Sequence, residues 1–315
     1  MQISIVIPNY NGSHLLTNNL PAVIDAVEYY KKIHGGGCEI VIVDDASVDD
    51  SLQIIENITK KISIPLQTIK NETNKGFSHT VNKGVSLANG DIVILLNTDV
   101  KPKKDFLIPL LAHFANENIF AVGCMDESIE HGKTVFRGRG VGEWKKGFLL
   151  HSRGNIDRTN TLWVSGGSGA FRKDIWEKLH GLTTLYSPFY WEDIDISYRA
   201  LKSGYTLVFE PKSIVQHTHE TGIIRTTYSK EYITAIAYRN QILFVWLNVT
   251  DFLLIVQHIL WMPYHIMSAI VHGDSTFLAG FYRAVGKIPL MLMRRGQVQE
   301  TFTRSDKEII NKLRA

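Results

Sequence analysis

The chain has 315 residues, 44% of them hydrophobic, with a formal charge of +3 and two cysteines. That supplies a core for one large folded unit, or for one unit with an appendage. So small a charge, with no concentrated basic stripe, argues against nucleic acid as a partner. Cys38 and Cys124 read as buried thiols of a reducing compartment and not as a disulfide framework.

The opening MQISIVIPNYNG has no basic segment and no long apolar run, so a first strand is expected here and not a secretory leader. Ile3 to Ile7 is a β-branched run closed by the turn cluster Pro8-Asn9-Tyr10-Asn11-Gly12. A helix is expected from about Leu15 to Lys32, with Leu16, Leu20, Val23, Ile24, Val27 and Tyr30 on one face, until Gly35-Gly36-Gly37 breaks it. Glu39 to Val43 is apolar along its length, as suits a parallel strand covered on both sides. Asp44-Asp45-Ala46-Ser47 ends it. A helix over Asp49 to Ile58, a strand over Leu66 to Lys70, a helix over Phe77 to Ala88 and a strand over Asp91 to Leu96 follow. This βαβα order predicts a doubly wound α/β sheet.

Ligands of such sheets gather beyond the carboxyl ends of the strands. Asn9, Asp44, Asp45, Asn97 and Asp99 all stand at such ends and are candidates for one polar site. Separate helix caps and turns account well for Ser47 and Ser78, but less well for Asp44-Asp45 and Asn97-Thr98-Asp99.

Cys124 to Thr161, rich in Gly, Arg, Lys and His, reads as a mobile, irregular segment with short strands. Order returns with VSGGSGAFRKDIWEKLHG, then FYWEDIDISYRA (Phe189 to Ala200), then a strand over Thr206 to Phe209 that leads to His217. A helix starting near Asp193 pairs Asp195 with Arg199, four residues on. Acids in a first turn also complement the helix dipole, which explains Asp195. Glu192 and Asp193 directly behind Tyr190-Trp191 suit a second reading, in which an apolar wall raises a carboxylate's basicity for work as a general base. Asp99, rigid at a strand mouth, suits a hard divalent ion, Mg²⁺ or Mn²⁺, that also takes diphosphate oxygens. His219 would point away from His217 in an extended segment, so only one of them serves such a site.

Taken in order, SIVIPNYNG, IVDDASVDDS, NKGFSHTVNKGVSLANGDIVILLNTDV, GGSGAFRKDIWEKLHGL, FYWEDIDISYRALKSGY and FEPKSIVQH resemble the family-2 glycosyltransferases, inverting enzymes of the GT-A fold. The flavour is that of bacterial rhamnosyltransferase-like enzymes of cell-envelope glycans. The resemblance runs from about Ile3 to His219 and implies a GT-A domain over 1–221. It implies that Pro8 and Asn9 touch the nucleobase, that Asp45 reads it with Asp44 beside the ribose, and that Gly76 and Asn82 line the nucleotide pocket. Asn97-Thr98-Asp99 falls where the family has D-x-D, with Asn in place of the first acid, which leaves Asp99 as the principal metal ligand and His217 as a second. Glu192-Asp193 matches the family's acid pair, with Asp193 the base. Gly166-Gly167-Ser168-Gly169 matches a loop near donor sugar and acceptor, and Tyr190 and Trp191 would wall the acceptor. The implied reaction is single displacement from a UDP- or dTDP-linked sugar to a glycan or lipid-linked acceptor. A sugar nucleotidyltransferase would want a basic, Gly-rich loop after the first strand, which PNYNGSHL lacks. A silent nucleotide-sugar-binding protein would not need both Asp99 and Asp193.

Residues 222–315 form a separate apolar and basic region. Ile242 to Val271 is long enough to span a bilayer, but Asp251 and Pro263 interrupt it. A broken helix lying in the membrane interface fits better, with a homodimer interface or plain core as alternatives. The expected location is cytoplasmic, peripheral on the inner face of the cell membrane.

Overall fold

The computed structural model of the chain describes residues 1–130, 133–217 and 227–313. His219 and the expected boundary at 221/222 lie outside them.

The first ninety-six residues fold as their pattern dictates. Apolar runs give β1 (Ile3–Asn9), β2 (Cys38–Asp44), β3 (Leu66–Lys70) and β4 (Ile92–Leu96). Between them lie α1 (Ser13–His34), α2 (Ser51–Thr59) and α3 (Phe77–Leu87). These four strands are parallel in the order β3-β2-β1-β4. The chain therefore winds outward from β1 and returns to its other side at β4. That reversal opens a crevice beyond the carboxyl ends of β1 and β4, where Asn9 and Asn97 stand.

The sheet continues past β4 through β10 (Ser168–Arg172), β6 (Ile119–Glu130), β11 (Thr206–His217) and the short β5 (Val100–Pro102). β10 runs antiparallel to both β4 and β6, while β6 and β11 run parallel to each other. Adding β7 (Lys133–Arg137), which pairs β6, gives nine strands among the described residues. α4 (Leu107–Ala112) and α5 (Lys173–Lys178) flank it.

The stretch expected to be irregular, 124–161, is instead largely paired. It supplies most of β6, all of β7, and a separate hairpin of β8 (Gly140–Lys145) and β9 (Phe148–Arg153). Its glycines are there for close packing: a side chain on Gly140 would collide with the Trp163 ring, and one on Gly138 with Phe209. Cys38 and Cys124 are free buried thiols, as expected.

The C-terminal region is helical: α7 (Lys230–Asn248), α8 (Phe252–His272), α9 (Ser275–Val285), α10 (Ile288–Gln299) and α11 (Asp306–Lys312). α7 is buried in one core with the sheet. Phe244 lies against Trp191 and Tyr198 of α6 (Glu192–Lys202) and the residue before it. The apolar run thus breaks into two helices, and Asp251 sits in the break, where its carboxylate caps α11 through the N–H groups of Asp306 and Lys307.

Candidate active site

The crevice at the β1/β4 reversal is a cavity of about 490 Å³, a size suited to a small-molecule ligand. On one wall, Asn9 closes β1 and donates its amide to Asp44 Oδ1 (2.7 Å) and Ser47 Oγ (3.1 Å). Ser47 is therefore a member of this network and not a simple cap. Asp45 gathers the 71–76 loop: Oδ1 accepts from the Asn71 amide and the Lys75 N–H, and Oδ2 from the Gly76 N–H. Gly76 has φ +83° at the start of α3, a conformation suited to glycine.

On the opposite wall, Asn97 and Gly167 lie so close that a side chain at 167 would strike the Asn97 amide. The Asn97 N–H donates to the Gly167 carbonyl (2.9 Å). His217, at the end of β11, holds Asp99 Oδ2 through Nε2 (3.0 Å) and Asp126 through Nδ1 (3.4 Å). Burial alone would depress this imidazole, but the hydrogen bonds and charges of Asp126 and Asp99 prevail and lift it to about 9.

Beside His217, Asn97 Oδ1 and Asp99 Oδ1 are buried without a hydrogen-bond partner. Orphaned carboxylate and amide oxygens beside an imidazole form a donor set that fits Mg²⁺ or Mn²⁺. Among the described residues, no group of three or more His, Cys, Asp or Glu side chains is arranged to hold a metal by itself. Asp99 would therefore share such an ion with ligand oxygens, and His217 would join it on giving up the proton it holds toward Asp99.

Glu192 and Asp193 open α6 at the mouth of the cavity. Burial and the neighbouring Asp193 charge push the Glu192 carboxyl up to about 8. Asp193 is also raised by burial, offset by hydrogen bonds from the N–H groups of Ile194 and Gly166. Both carboxyls are therefore more basic than ordinary carboxylates. Asp195, the third acid, faces away: it is fully buried, paired with Arg199 (2.7 Å), and accepts from Tyr186 Oη and Asn248 Nδ2.

Of the residues expected from the sequence, Pro8, Asn9, Asp45, Gly76, Asn97, Thr98, Asp99, Gly167, Glu192, Asp193 and His217 line this one cavity. Four stand outside the lining. Asp44 is wholly buried behind Asn9. Asn82 exchanges two hydrogen bonds with the Leu182 backbone and so ties α3 to the loop after α5. Ser168 is inside β10, and Trp191 is buried between His151 and Phe244, leaving Tyr190 as the exposed wall. Sequence reading missed Phe77, Pro188, Phe189 and Tyr228 in the lining, and Asp126 behind His217. Only Asp126 left a signal, since it alternates with Ser128 on one face of a strand.

Residues 4–179 match the profile of glycosyl transferase family 2. The architecture agrees with GT-A structures: GalNAc-T7 with UDP, GalNAc and Mn²⁺ superposes with a TM-score of 0.63 at 19% identity, over 80% of this chain and 48% of that one. The chain belongs to glycosyl transferase family 2, a family of sugar-transferring enzymes. The O-antigen chain rhamnosyltransferase RfbN of Salmonella typhimurium is 23% identical over 70% of this chain. An undecaprenyl-phosphate 4-deoxy-4-formamido-L-arabinose transferase of Yersinia pestis is 32% identical over 39%. The chain spans 67% of the length of the first relative and 36% of the second.

Proposed function

We propose that the chain is an inverting transferase that moves a sugar from a UDP- or dTDP-linked donor to a hydroxyl of a glycan or lipid-linked acceptor, in cell-envelope polysaccharide synthesis. The observation that carries this is the convergence, in one cavity, of Asp45 and Asn9 on one wall, the Asp99–His217 pair on the other, and Asp193 at the mouth. Asp45, Asn9, Pro8 and Gly76 suit base and ribose, with Asp44 holding Asn9 from behind. Asn97, Thr98, Asp99 and His217 suit the diphosphate. A divalent ion bound by Asp99, and by His217 once that imidazole has lost its proton, would offset negative charge on the departing diphosphate.

Asp193 takes the proton of the acceptor hydroxyl as that oxygen attacks the anomeric carbon and the nucleoside diphosphate leaves from the opposite face. Protonated Glu192, with one oxygen unpartnered, is free to donate a hydrogen bond to the acceptor. The names of the relatives, an O-antigen chain rhamnosyltransferase and an undecaprenyl-phosphate sugar transferase, favour this acceptor class.

Apart from Thr227 and Tyr228, the lining of this site comes from residues 1–221, and 222–315 add the surface that meets a membrane. α8 is an inside-out helix. Its polar Gln257, His258 and His265 bond to Trp144, Gly147 and Lys146 of the hairpin. Phe252, Leu253, Leu260 and Val271 are 70–75% exposed. Among the described residues α8 is the one helix long and apolar enough to cross a membrane, and only 11% of its most apolar stretch is buried. With Arg283 and Arg294 exposed nearby, it suits an interface-lying helix on an anionic cytoplasmic leaflet. An occupant of this kind is favoured over a second copy of the chain.

Thermal stabilisation by UDP-, GDP- and dTDP-sugars with and without Mn²⁺ tests the donor side. The binding donor is then used to assay transfer by Asp193→Asn. Transfer should fall on the order of 10²-fold or more with nucleotide binding kept. Substantial residual turnover removes Asp193 as the base.

A further inference from the structure

We infer that Arg239 and Asn240, on α7, are positioning residues for the acceptor side of the site, acting through the loop 186–191. The inference rests on the glycosyl-transfer reading above. That loop brings Phe189 and Tyr190 to the cavity and delivers Asp193 at the start of α6.

Arg239 Nη2 donates to the carbonyls of Tyr186 (2.8 Å) and Ser187 (2.7 Å). Asn240 Nδ2 donates to the carbonyls of Tyr186, Phe189 and Tyr190, each at 2.9 Å. The two side chains also fix each other. Arg239 Nε donates to Asn240 Oδ1 (2.8 Å), so the amide must face the loop with its NH₂ group. Both are buried, Asn240 completely. Four carbonyls within five residues are thus held from one helical turn of a distant part of the chain. Eight residues further along α7, Asn248 donates to Asp195 Oδ1, next to the Tyr186 hydroxyl, and grips α6 within its first turn.

The loop is one that needs holding. Tyr190 and Trp191 both adopt positive φ, +71° and +77°, a region that bulky residues avoid unless their surroundings impose it. Tyr190 is the exposed aromatic of the wall, and Asp193 follows three residues later. A loop relaxed toward ordinary φ would turn both away. The nucleotide wall, built from β1, β2 and the 71–76 loop, contains no partner of Arg239 or Asn240. Loss of the pair should therefore separate acceptor use from donor binding.

Three variants of the full chain are compared with wild type: Asn240→Ala, Arg239→Lys and Leu243→Ala. The last trims buried apolar bulk from the same helix and removes no hydrogen bond to the loop. Calorimetry with UDP, GDP and dTDP in Mn²⁺ reads affinity and stoichiometry on the donor side. Transfer from the matching nucleotide sugar to octyl glycosides reads kcat and acceptor KM, and hydrolysis reads turnover alone where none accepts. Hydrogen exchange reads the amides of 186–193. In Asn240→Ala these amides should exchange faster, and acceptor kcat/KM should fall on the order of 10²-fold while nucleotide affinity stays within about twofold. Arg239→Lys keeps the cation but loses the fork, and should show the same pattern more mildly. The inference is overturned if exchange at 186–193 is unchanged, if nucleotide affinity falls in step with transfer, or if Leu243→Ala shows an equal loss. It stands if acceptor use alone collapses with the loop. Should the wild type bind none of the three nucleotides, the glycosyl-transfer reading fails and this inference with it. A wild type that binds and transfers leaves the variants to decide.

Discussion

Glu192→Gln should make the protein more stable as pH rises, relative to wild type. Glu192 is 8% exposed, has one carboxyl oxygen without a partner, and sits beside Asp193. Its carboxyl is pushed from 4.5 to about 8, by burial first and the Asp193 charge second. The folded chain therefore holds a proton that the unfolded chain releases near pH 4.5. Where the folded state binds more protons, stability falls as pH rises, so the window of loss runs from about 4.5 to about 8 and closes above it. At about 1.4 kcal/mol per pH unit for one proton, the loss between pH 5 and 7.5 is roughly 3 kcal/mol. Glutamine has the shape of the protonated acid and cannot ionise, so this slope disappears in the variant. Urea unfolding midpoints measured across pH 5–8.5 give the comparison, and groups distant from Glu192 cancel in the difference. The variant's advantage should grow by roughly 3 kcal/mol between pH 5 and 7.5. A difference that stays flat with pH refutes the assignment of the proton to Glu192. The same reasoning predicts that Glu192→Gln keeps most transfer activity at neutral pH, whereas Asp193→Asn does not.

Asp99→Ala should weaken Mn²⁺-dependent nucleotide binding tenfold or more, on the order expected for loss of a metal ligand, and calorimetry with and without the ion reads this. Lys202→Met should cost about 3–5 kcal/mol, because it strands the fully buried Asp306 carboxylate whose Oδ1 lies 3.0 Å from the Lys202 ammonium; chemical denaturation measures it. Leu253→Glu with Leu260→Glu, at positions 70% and 71% exposed, should leave the melting temperature nearly unchanged. The pair should abolish flotation with phosphatidylglycerol vesicles, and unaltered flotation would reject α8 as the membrane face.

The half of the sheet built from β1 to β4 was legible because each element announces itself locally: apolar runs for covered strands, a 3.6-residue apolar period for helices, and an acid or amide where each strand ends. The β10 strand was not. SGAFR carries no mark of its antiparallel insertion between β4 and β6, which is settled by pairing with strands more than forty residues away. Asp195 shows the same limit inside one residue. Its pairing with Arg199, four positions on, could be read from spacing, but its bonds to Tyr186 and Asn248 lie nine and 53 positions away. The site residues that strand ends announce were found. Those that reach it through the packing of later segments, such as Phe189, Tyr228 and Asp126, were not.

The C-terminal region carries this furthest. By composition, Gln257, His258 and His265 dilute an apolar run and count against a membrane helix. By position they count for one, because all three bond to the hairpin while the large exposed side chains of the helix are mainly apolar. Asn240 and Arg239 make the converse case: polar residues in a buried helix, which composition alone would assign to a weakened core, are satisfied by the carbonyls of a loop fifty residues earlier. In both helices the meaning of a polar residue is set by what lies across from it. That is why the acids at strand ends, whose neighbours are fixed by the strand itself, could be read from the sequence, and these could not.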